Sequence, residues 1–572
     1  MLEENLGVIL NANYRFVNNG QRQVMPAPVD KDTPNAPWWW DKVAAMAPDI
    51  KRCGFSAVQL PPFCKTQSGA APDADGYGKF DDYDLGSKDQ FYSIPTRFGT
   101  LEQLRRCIAI LNACGLGAYA DIVLHQYDGG SNGTYTYLGA DGKTQNGRFP
   151  KHPACFVGAP PRVPVDSVFD SEGNFAFGDM VSFTHSIPED YMAKGVIDAA
   201  DWMLRTTGLV NSQLHGFRVD DTKGMNVAFS KRFVTSKTMA GLFSYGECFT
   251  GNPAQLENWE GIMNGRSATL DFSLHWALQN MCNNPGANMQ QMNGTGLAAI
   301  DPFHAVTFVD NPDTDTTDGQ QIISNKLLAY AYILTTEGYP MVYFRDYAEE
   351  PHCYGLKKWI DTLVWIHENL AFGNTVNRYV DNQAIVLERQ GYPGLLTAIG
   401  TGSYNKTIRC ATSFGPHTQL HDYTGRRADI WTDAYGNATF TLPGNYFGGG
   451  ESYLCFSRAG YGQGFSLARA STTQTFFGAE DLDIGPTGYG RRVRAGRIWC
   501  DQNTPVQLDS PTNDLVAIVL DASGAPLKST KGRAQTEAAG WYTLAVTSTR
   551  QLPAPWELTV TYTSTQGLEH GK

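Results

Sequence analysis

The segment GFRVDDTK, residues 216–223, has the pattern of a short buried strand that ends in two carboxylates. Apolar runs of this length are typical of strands in a parallel sheet. Seven similar runs are spaced along the first 345 residues, separated by stretches of helical period. The predicted strands cover residues 7–11, 56–60, 117–123, 216–220, 243–247, 268–272, 306–310 and 340–344. Eight alternating strands and helices predict an α/β fold, the closed (β/α)8 or TIM barrel.

One of the intervening helices is marked at both ends. Thr100 followed by Gln103 has the pattern of a capping box, and apolar residues then recur at helical spacing. Gly115 is the predicted stop signal.

The chain of 572 residues is too long for one hydrophobic core, so several domains are expected. We predict a catalytic barrel over residues 1–377, with an inserted subdomain rich in Gly, Pro and Asp at about 126–186, after the third strand. Alternating strand-like runs over 378–458 predict an antiparallel β-sandwich. A linker rich in Gly, Ser and Ala over 459–473 then leads to a second β-sandwich module over 474–572.

Composition limits the partners. The formal net charge is −12 and no basic cluster is present, which argues against nucleic acid. No apolar run approaches the roughly 20 residues that span a bilayer, so no membrane association is expected. The 11 cysteines lack the spacing of a thiolate metal site. No signal-peptide pattern opens the sequence, which fits a cytoplasmic protein or an exported one whose signal is removed; we expect a secreted or periplasmic monomer.

Three predicted strands end in carboxylates. Asp220 closes the fourth strand, Glu247 closes the fifth, and Asp313 follows the seventh. In a barrel of this kind the reacting groups lie at the carboxyl ends of the strands. These three residues are therefore the candidate catalytic groups.

The segments around these carboxylates resemble, in order and spacing, the signature regions of the α-amylase family of retaining α-glucan hydrolases. Two further segments match, DIVL at 121–124 and GYGKFDDYDLG at 76–86. In the sandwich that follows the barrel, HDYTG at 421–425 also resembles the family. Any one motif is weak, but five in order are specific. The resemblance spans the barrel and the first sandwich, and the last module is an addition.

Retaining hydrolysis needs one carboxylate that attacks the anomeric carbon and a second, protonated one that donates to the leaving oxygen, roughly 5–5.5 Å apart. Asp220 would be the nucleophile and Glu247 the general acid/base. Arg218 lies two residues before Asp220 on the same strand face and should lower the pKa of the nucleophile. Taken singly, such residues are more often a buried ion pair and a loop cap, and it is the complete set that favours the catalytic role.

The resemblance implies further roles. Asp313 would bind sugar hydroxyls and favour the distorted ring. Tyr77 would stack beneath that ring, and Lys223 would reach the leaving-group side. Asp121 and Gln126 complete the predicted substrate-binding set, together with Arg218.

Three histidines of the family pattern are missing. The first region reads His125-Gln126 where the family has Asn-His, and Gly224 and Pro312 occupy the other two positions. Gln126 can replace one hydrogen bond to the sugar, whereas Pro312 cannot donate one.

The family also implies a calcium ion, held partly by the asparagine that His125 replaces. Calcium prefers oxygen ligands to imidazole, and Asp179 and the Gly224 carbonyl are the oxygen donors that remain. No metal ligand is therefore assigned, and the predicted chemistry requires no cofactor.

The leading hypothesis is cleavage of α-1,4-glucosidic bonds in starch or maltooligosaccharides through a covalent glycosyl-enzyme on Asp220. One alternative is an α-glucan transglycosylase or α-glucoside isomerase that passes the same intermediate to another sugar. Another is a non-catalytic glucan-binding protein. The intact trio of carboxylates argues against the last.

Overall fold

The structure of the chain is a computed structural model. It describes residues 7–13, 15–18, 21–24, 38–139, 141–145, 147–158, 178–183, 190–316, 319–350, 352–445, 450–459, 470–478, 482, 493–521, 523–538, 540–552 and 556–564.

Eight parallel strands close into a barrel, as the sequence predicts. Each observed strand lies within two residues of its predicted range, and neighbours in space follow the order β1-β8-β7-β6-β5-β4-β3-β2. The strands are β1 Ile9–Asn11, β2 Ala57–Gln59, β3 Gly117–Ile122, β4 Gly216–Val219, β5 Phe243–Gly246, β6 Ala268–Leu270, β7 Ala305–Phe308 and β8 Tyr339–Tyr343.

Helices connect these strands. Within the described residues they are α1 Trp39–Arg52, α2 Leu101–Ala113, α3 Tyr191–Thr207, α4 Val227–Val234, α5 Pro253–Met263, α6 Phe272–Asn283, α7 Lys326–Ile333, α8 Phe344–Tyr347 and α9 Lys357–Leu370. Short 3-10 segments are Pro153–Cys155, Leu209–Asn211, Lys237–Gly241, Met289–Met292 and Leu297–Ala299. In the part of the chain that the structure describes, no helix has the length and apolarity needed to cross a bilayer.

The predicted capping box opens α2. The Thr100 side chain accepts a hydrogen bond from the Gln103 amide, and the Gln103 side chain accepts one from the Thr100 amide at 2.9 Å. The helix ends just before Gly115, whose φ of +70° is the left-handed conformation that glycine adopts without strain.

The insertion after β3 is held to the barrel at its base. Residues Gln126–Tyr127 pair antiparallel with Asp179–Met180, so the excursion returns to the point where it leaves. The middle of the predicted subdomain, residues 159–177, lies outside the described residues, as do residues 184–189. A separate antiparallel pair, Arg15–Asn18 with Gln21–Val24, follows β1.

Two antiparallel sheets follow the barrel. The larger has the order β9-β10-β11-β16-β13-β14, and the smaller pairs β12 with β15. Their inward faces share one apolar core. The first strand starts three residues before the predicted domain boundary at 378. The strands are β9 Thr375–Val380, β10 Ala384–Arg389, β11 Leu395–Gly400, β12 Lys406–Ala411, β13 Gln419–Asp422, β14 Ile430–Trp431, β15 Asn437–Leu442 and β16 Tyr453–Arg458.

The last module also has two antiparallel sheets, in the orders β17-β24-β19-β22-β21 and β18-β23-β20. Its strands are β17 Ala470–Gly478, β18 Val493–Cys500, β19 Pro505–Asp509, β20 Leu515–Leu520, β21 Ser529–Thr530, β22 Arg533–Gln535, β23 Gly540–Ser548 and β24 Trp556–Ser564. The module packs on the barrel: α2 contacts β17 and β18, and Ala113 at the end of α2 is buried in the core of the module.

The carboxyl end of the predicted linker, 459–473, needs correction. Strand β17 begins at Ala470, because the Ala-Ser-Thr-Thr run pairs with residues 561–564 of β24. Small and hydroxylated residues suggested a linker, although Thr has a high strand propensity. Residues 460–469 lie outside the described part.

Candidate active site

The carboxyl ends of β4 and β5 place two carboxylates side by side. Val219 and Gly246 are partners in the parallel register, and Asp220 and Glu247 are the next residue on each strand. The Glu247 amide donates to the Val219 carbonyl at 2.9 Å, which continues the ladder up to the site. Asp220 and Glu247 therefore leave the barrel at the same level on adjacent strands.

Arg218 binds both carboxylates. Its Nη1 lies 2.9 Å from Oδ1 of Asp220, and its Nη2 lies 2.6 Å from Oε2 of Glu247. Nη1 also lies 2.6 Å from Oδ1 of Asp121, at the end of β3. All four side chains are less than a tenth exposed. One rigid, planar cation thus orients three carboxylates from three neighbouring strands.

Burial and the neighbouring charges shift the pKa values of Asp220 and Glu247. Burial raises the pKa of Asp220 to about 6, although the charge of Arg218 lowers it. Burial raises the pKa of Glu247 well above its usual range; Arg218 opposes this rise, and the charges of Asp220 and Asp313 add to it. Arg218 acts on Asp220 in the predicted direction, but desolvation outweighs it, so the expectation of a lowered pKa for Asp220 is corrected.

Tyr77 and Asp121 form one side of the site. The Tyr77 hydroxyl donates to Oδ2 of Asp121 at 2.7 Å and accepts a hydrogen bond from Nδ2 of Asn13 at 2.5 Å. Gln59 Nε2 donates to the same Asp121 oxygen at 3.2 Å and accepts through Oε1 from the Tyr245 hydroxyl. The Tyr77 ring is therefore fixed at the rim of the barrel.

Gln126 contacts the predicted nucleophile. Its Nε2 donates to Oδ2 of Asp220 at 2.9 Å, so the two oxygens of Asp220 are held by Gln126 and Arg218. Oε1 of Glu247, in contrast, is buried without a hydrogen-bond partner among the described residues.

Asp313 lies on a tightly closed loop after β7. Asn311 Oδ1 accepts hydrogen bonds from the amides of Asp313 at 2.9 Å and Thr314 at 2.8 Å. Asp310, at the start of this loop, pairs with the buried Lys326 of α7, whose Nζ also lies 2.8 Å from Oδ1 of Asp346. The loop that carries Asp313 is therefore anchored to α7 and α8.

The structure gathers most of the predicted site residues into one cluster. Direct hydrogen bonds or ion pairs connect Tyr77, Asp121, Gln126, Arg218, Asp220 and Glu247. Asp313 is near enough for its charge to raise the pKa of Glu247. Lys223 is half-buried on the loop that follows Asp220. The catalytic and binding roles of these residues remain predictions.

Three residues of the site were missed from the sequence. Asn13 follows β1, so the strand-end rule that selected the carboxylates could have found it. Gln59 is a polar residue inside an apolar strand, and this departure from the pattern could have identified it. Asp221 pairs with His125, and no sequence signal pointed to that contact.

The residues at the place predicted for calcium do not fit that ion. His125 Nδ1 lies 2.7 Å from Oδ2 of Asp221, so one nitrogen of its imidazole is hydrogen-bonded to that carboxylate. Oδ2 of Asp179 accepts a hydrogen bond from the Tyr135 hydroxyl at 2.8 Å. A donor set in which an imidazole replaces an amide oxygen, and in which one carboxylate oxygen already accepts a hydrogen bond, offers fewer oxygen ligands than calcium prefers.

Comparison with known proteins supports the resemblance. The sequence is 27% identical over 490 residues to a glucan 1,4-alpha-maltohexaosidase from Bacillus sp. (strain 707), covering 76% of this chain and 91% of that protein. It is 28% identical over 461 residues to an alpha-amylase from Geobacillus stearothermophilus, covering 72% of this chain and 81% of that protein. No family model matches the sequence.

Solved structures show the same fold. The gamma-CGTase from alkalophilic Bacillus clarkii superposes with a TM-score of 0.59 at 15% identity, covering 95% of this chain and 92% of that chain. The alpha-amylase from Geobacillus thermoleovorans, complexed with acarbose, gives 0.55 at 16% identity, covering 79% of this chain and 97% of that chain.

Fold and relatives agree on the class they indicate: the curated relatives that match most of the chain are alpha-amylases, which are glycoside hydrolases, and the chain itself has a closed barrel of eight parallel strands. The more specific resemblance is also confirmed, because these relatives are α-amylases and a cyclomaltodextrin glucanotransferase, and the structural neighbours are enzymes of the α-amylase family.

Proposed function

We propose that this chain is a retaining hydrolase of α-1,4-glucans, with Asp220 as nucleophile, Glu247 as general acid/base and Asp313 as third carboxylate. The supporting observation is the shared guanidinium of Arg218, which holds Asp220 and Glu247 on adjacent strands. Adjacent, differently perturbed carboxyl groups are what a double displacement requires.

In the first step, a carboxylate oxygen of Asp220 attacks the anomeric carbon while the glycosidic bond breaks. Glu247 transfers its proton to the departing oxygen and becomes a carboxylate. In the second step this carboxylate takes a proton from water, whose oxygen attacks the anomeric carbon and releases Asp220. Burial, together with the charges of Asp220 and Asp313, raises the pKa of Glu247 and favours its protonated form at rest, and Gln126 and Arg218 orient Asp220.

Sugar binding uses the remaining polar groups of the rim. Asp313 binds hydroxyls of the ring being cleaved, Tyr77 stacks beneath it, and Asp121 and Lys223 contact its neighbours. The substrate class follows from the relatives, which are named for maltohexaose release and amylase activity, and from the acarbose bound to one structural neighbour.

Action outside the cytoplasm as a monomer fits a polymeric substrate and is proposed with it. A relative from Escherichia coli is, however, named a cytoplasmic alpha-amylase, so cell fractionation is the direct test of location.

A second candidate is transfer of the glycosyl group to another sugar. It is favoured by the structural likeness to the gamma-CGTase, which covers 95% of this chain, including the last module. In that case the acceptor hydroxyl replaces water in the second step. An α-glucoside isomerase would use the same intermediate within one disaccharide.

The test is incubation of the purified chain with soluble starch, with product length and anomeric configuration followed by NMR. Hydrolysis with retention releases reducing ends that are α at first. Reshuffled chain lengths without new reducing ends indicate the transferase. Binding without any turnover indicates a glucan-binding protein and overturns both enzyme proposals.

A further inference from the structure

Two residues that depart from the family pattern, His125 and Gly224, both contact the side chain of Asp221. The carboxylate of Asp221 lies 2.7 Å from Nδ1 of His125 through Oδ2 and accepts the Gly224 amide at 3.2 Å through Oδ1. His125 is 1% exposed, and its carbonyl accepts the amide of Val181 from the base of the insertion. The pair therefore joins the end of β3, the insertion and the loop after β4.

Gly224 is needed because Asp221 fills its space. A Cβ on Gly224 would lie 2.5 Å from Oδ2 and 2.8 Å from Oδ1 of Asp221. The φ of Gly224 lies outside the left-handed region, so its backbone would accept other residues. The three atoms nearest to that Cβ all belong to the Asp221 carboxylate.

The backbone of Asp221 touches the predicted acid. Its amide donates to Oε2 of Glu247 at 3.3 Å, the oxygen that also binds Arg218. Asp221 adopts a φ of +45°, which is uncommon for a residue with a side chain and persists only when its surroundings enforce it. The contacts to His125 and Gly224 are those that hold this carboxylate.

We propose that His125, Asp221 and Gly224 form one positioning unit that fixes the Asp221 amide against Glu247 and sets the charge beside Asp220. The proposal rests on the catalytic roles given above. His125 and Gly224 act on Glu247 through Asp221, and all three are positioning residues.

The charged groups around Asp220 and Glu247 determine how the positioning unit can change the pKa values of these two residues. Asp220 faces Arg218, Asp121 and Asp221, and the negative charge of Asp221 contributes to its raised pKa. Glu247 faces Arg218, Asp220 and Asp313, and the Asp221 amide lowers its pKa. Loss of the Asp221 charge should thus move the acid limb of the pH profile to lower pH, and loss of the amide contact should move the alkaline limb to higher pH.

The first variant is Asp221→Asn, since asparagine tolerates the left-handed conformation as well as aspartate does. We expect kcat on maltooligosaccharides to fall about tenfold with KM within about twofold, because alignment and not sugar binding is changed. The acid limb of the pH profile should move to lower pH, because the negative charge beside Asp220 is lost. The matched control is Asp429→Asn, which removes a similar pair, His421 Nδ1 to Asp429 Oδ1 at 2.6 Å, in the sandwich; kcat and both limbs should stay unchanged.

The second variant tests the steric coupling. Gly224→Ala should lower kcat about tenfold in the wild-type background and by less than about twofold when Asp221 is already alanine. Melting temperatures of the four proteins should show the same non-additivity, a readout that does not depend on turnover. Equal losses in both backgrounds would show that Gly224 acts independently of Asp221.

If the acid limb does not move in Asp221→Asn, or if the effects of Gly224→Ala are additive, the positioning unit is overturned, provided that the wild type hydrolyses starch. If the wild type itself has no turnover on any α-glucoside, the proposed function fails, and the positioning role fails with it.

Discussion

Replacement of Arg218 by lysine is the most informative perturbation of the site. The guanidinium reaches Asp121 and Asp220 through one nitrogen and Glu247 through the other. A lysine carries one nitrogen in place of the fork and cannot span both sides. At least one of three buried carboxylates is then left without its cation.

The size of the effect follows from that burial. Removing one partner of a buried ion pair costs about 3–5 kcal/mol, and lysine keeps part of the attraction, so we expect a loss of about 3 kcal/mol in the free energy of unfolding at pH 8. The charge of Arg218 lowers the pKa of Asp220 and Glu247, so both pKa values rise in the variant. A carboxyl group whose pKa is raised in the folded state stabilises the fold at low pH and loses that contribution as pH rises through the folded value. The loss should therefore shrink towards pH 5, where both groups are protonated.

Urea unfolding followed by circular dichroism at pH 5 and pH 8 measures this difference, and kcat should fall by about 10²-fold or more because the reacting groups lose alignment. The control is Arg232→Lys, which changes a surface pair with Asp190 and should alter stability by less than about 1 kcal/mol. Equal stability loss at both pH values, or kcat within threefold of the wild type, would refute the role assigned to Arg218.

Four further outcomes are expected. Asp220→Asn and Glu247→Gln should each lower kcat by about 10³-fold or more with the fold intact by circular dichroism, and near-wild-type rates in either would remove the mechanism. Glu247→Gln should resist urea better than the wild type at pH 8 but not at pH 4, because the raised pKa of Glu247 makes its ionisation unfavourable in the folded state; an unchanged difference across pH would contradict this. Lys326→Met should cost about 3 kcal/mol at neutral pH, since Asp310 and Asp346 lose their shared cation, and a stable, fully active variant would show that this anchor does not position Asp313. Treatment with EDTA should leave the melting temperature unchanged, and a fall that calcium chloride reverses would demonstrate a calcium site.

The barrel could be predicted from the sequence because its strands and helices each have a recognisable local pattern, and these patterns alternate along the chain. Each strand is a short apolar run, and signals such as the Thr100 capping box place the helices between them. Boundaries between the β-modules were harder. The Ala-Ser-Thr-Thr run at 470–473 has the composition of a linker, and only pairing with β24 makes it a strand.

At the site, the residue types at the carboxyl ends of the strands predicted Asp220, Glu247 and Asp313, because a parallel barrel brings these ends to one rim. The net pKa of Asp220 was not predictable in the same way, because it depends on how far burial exceeds the attraction of Arg218. The contact of His125 with Asp221 was equally hidden, because it joins residues 96 positions apart whose directions only the folded loops determine.

The burial of Ala113 within the last β-module has a consequence for how the protein unfolds. A helix of the barrel wall completes the interior of that module, so the two bodies share apolar surface and should melt as one cooperative unit. Truncation before residue 470 would leave an apolar patch on α2 facing water. The shortened protein should then be prone to self-association at concentrations where the full-length chain stays monodisperse.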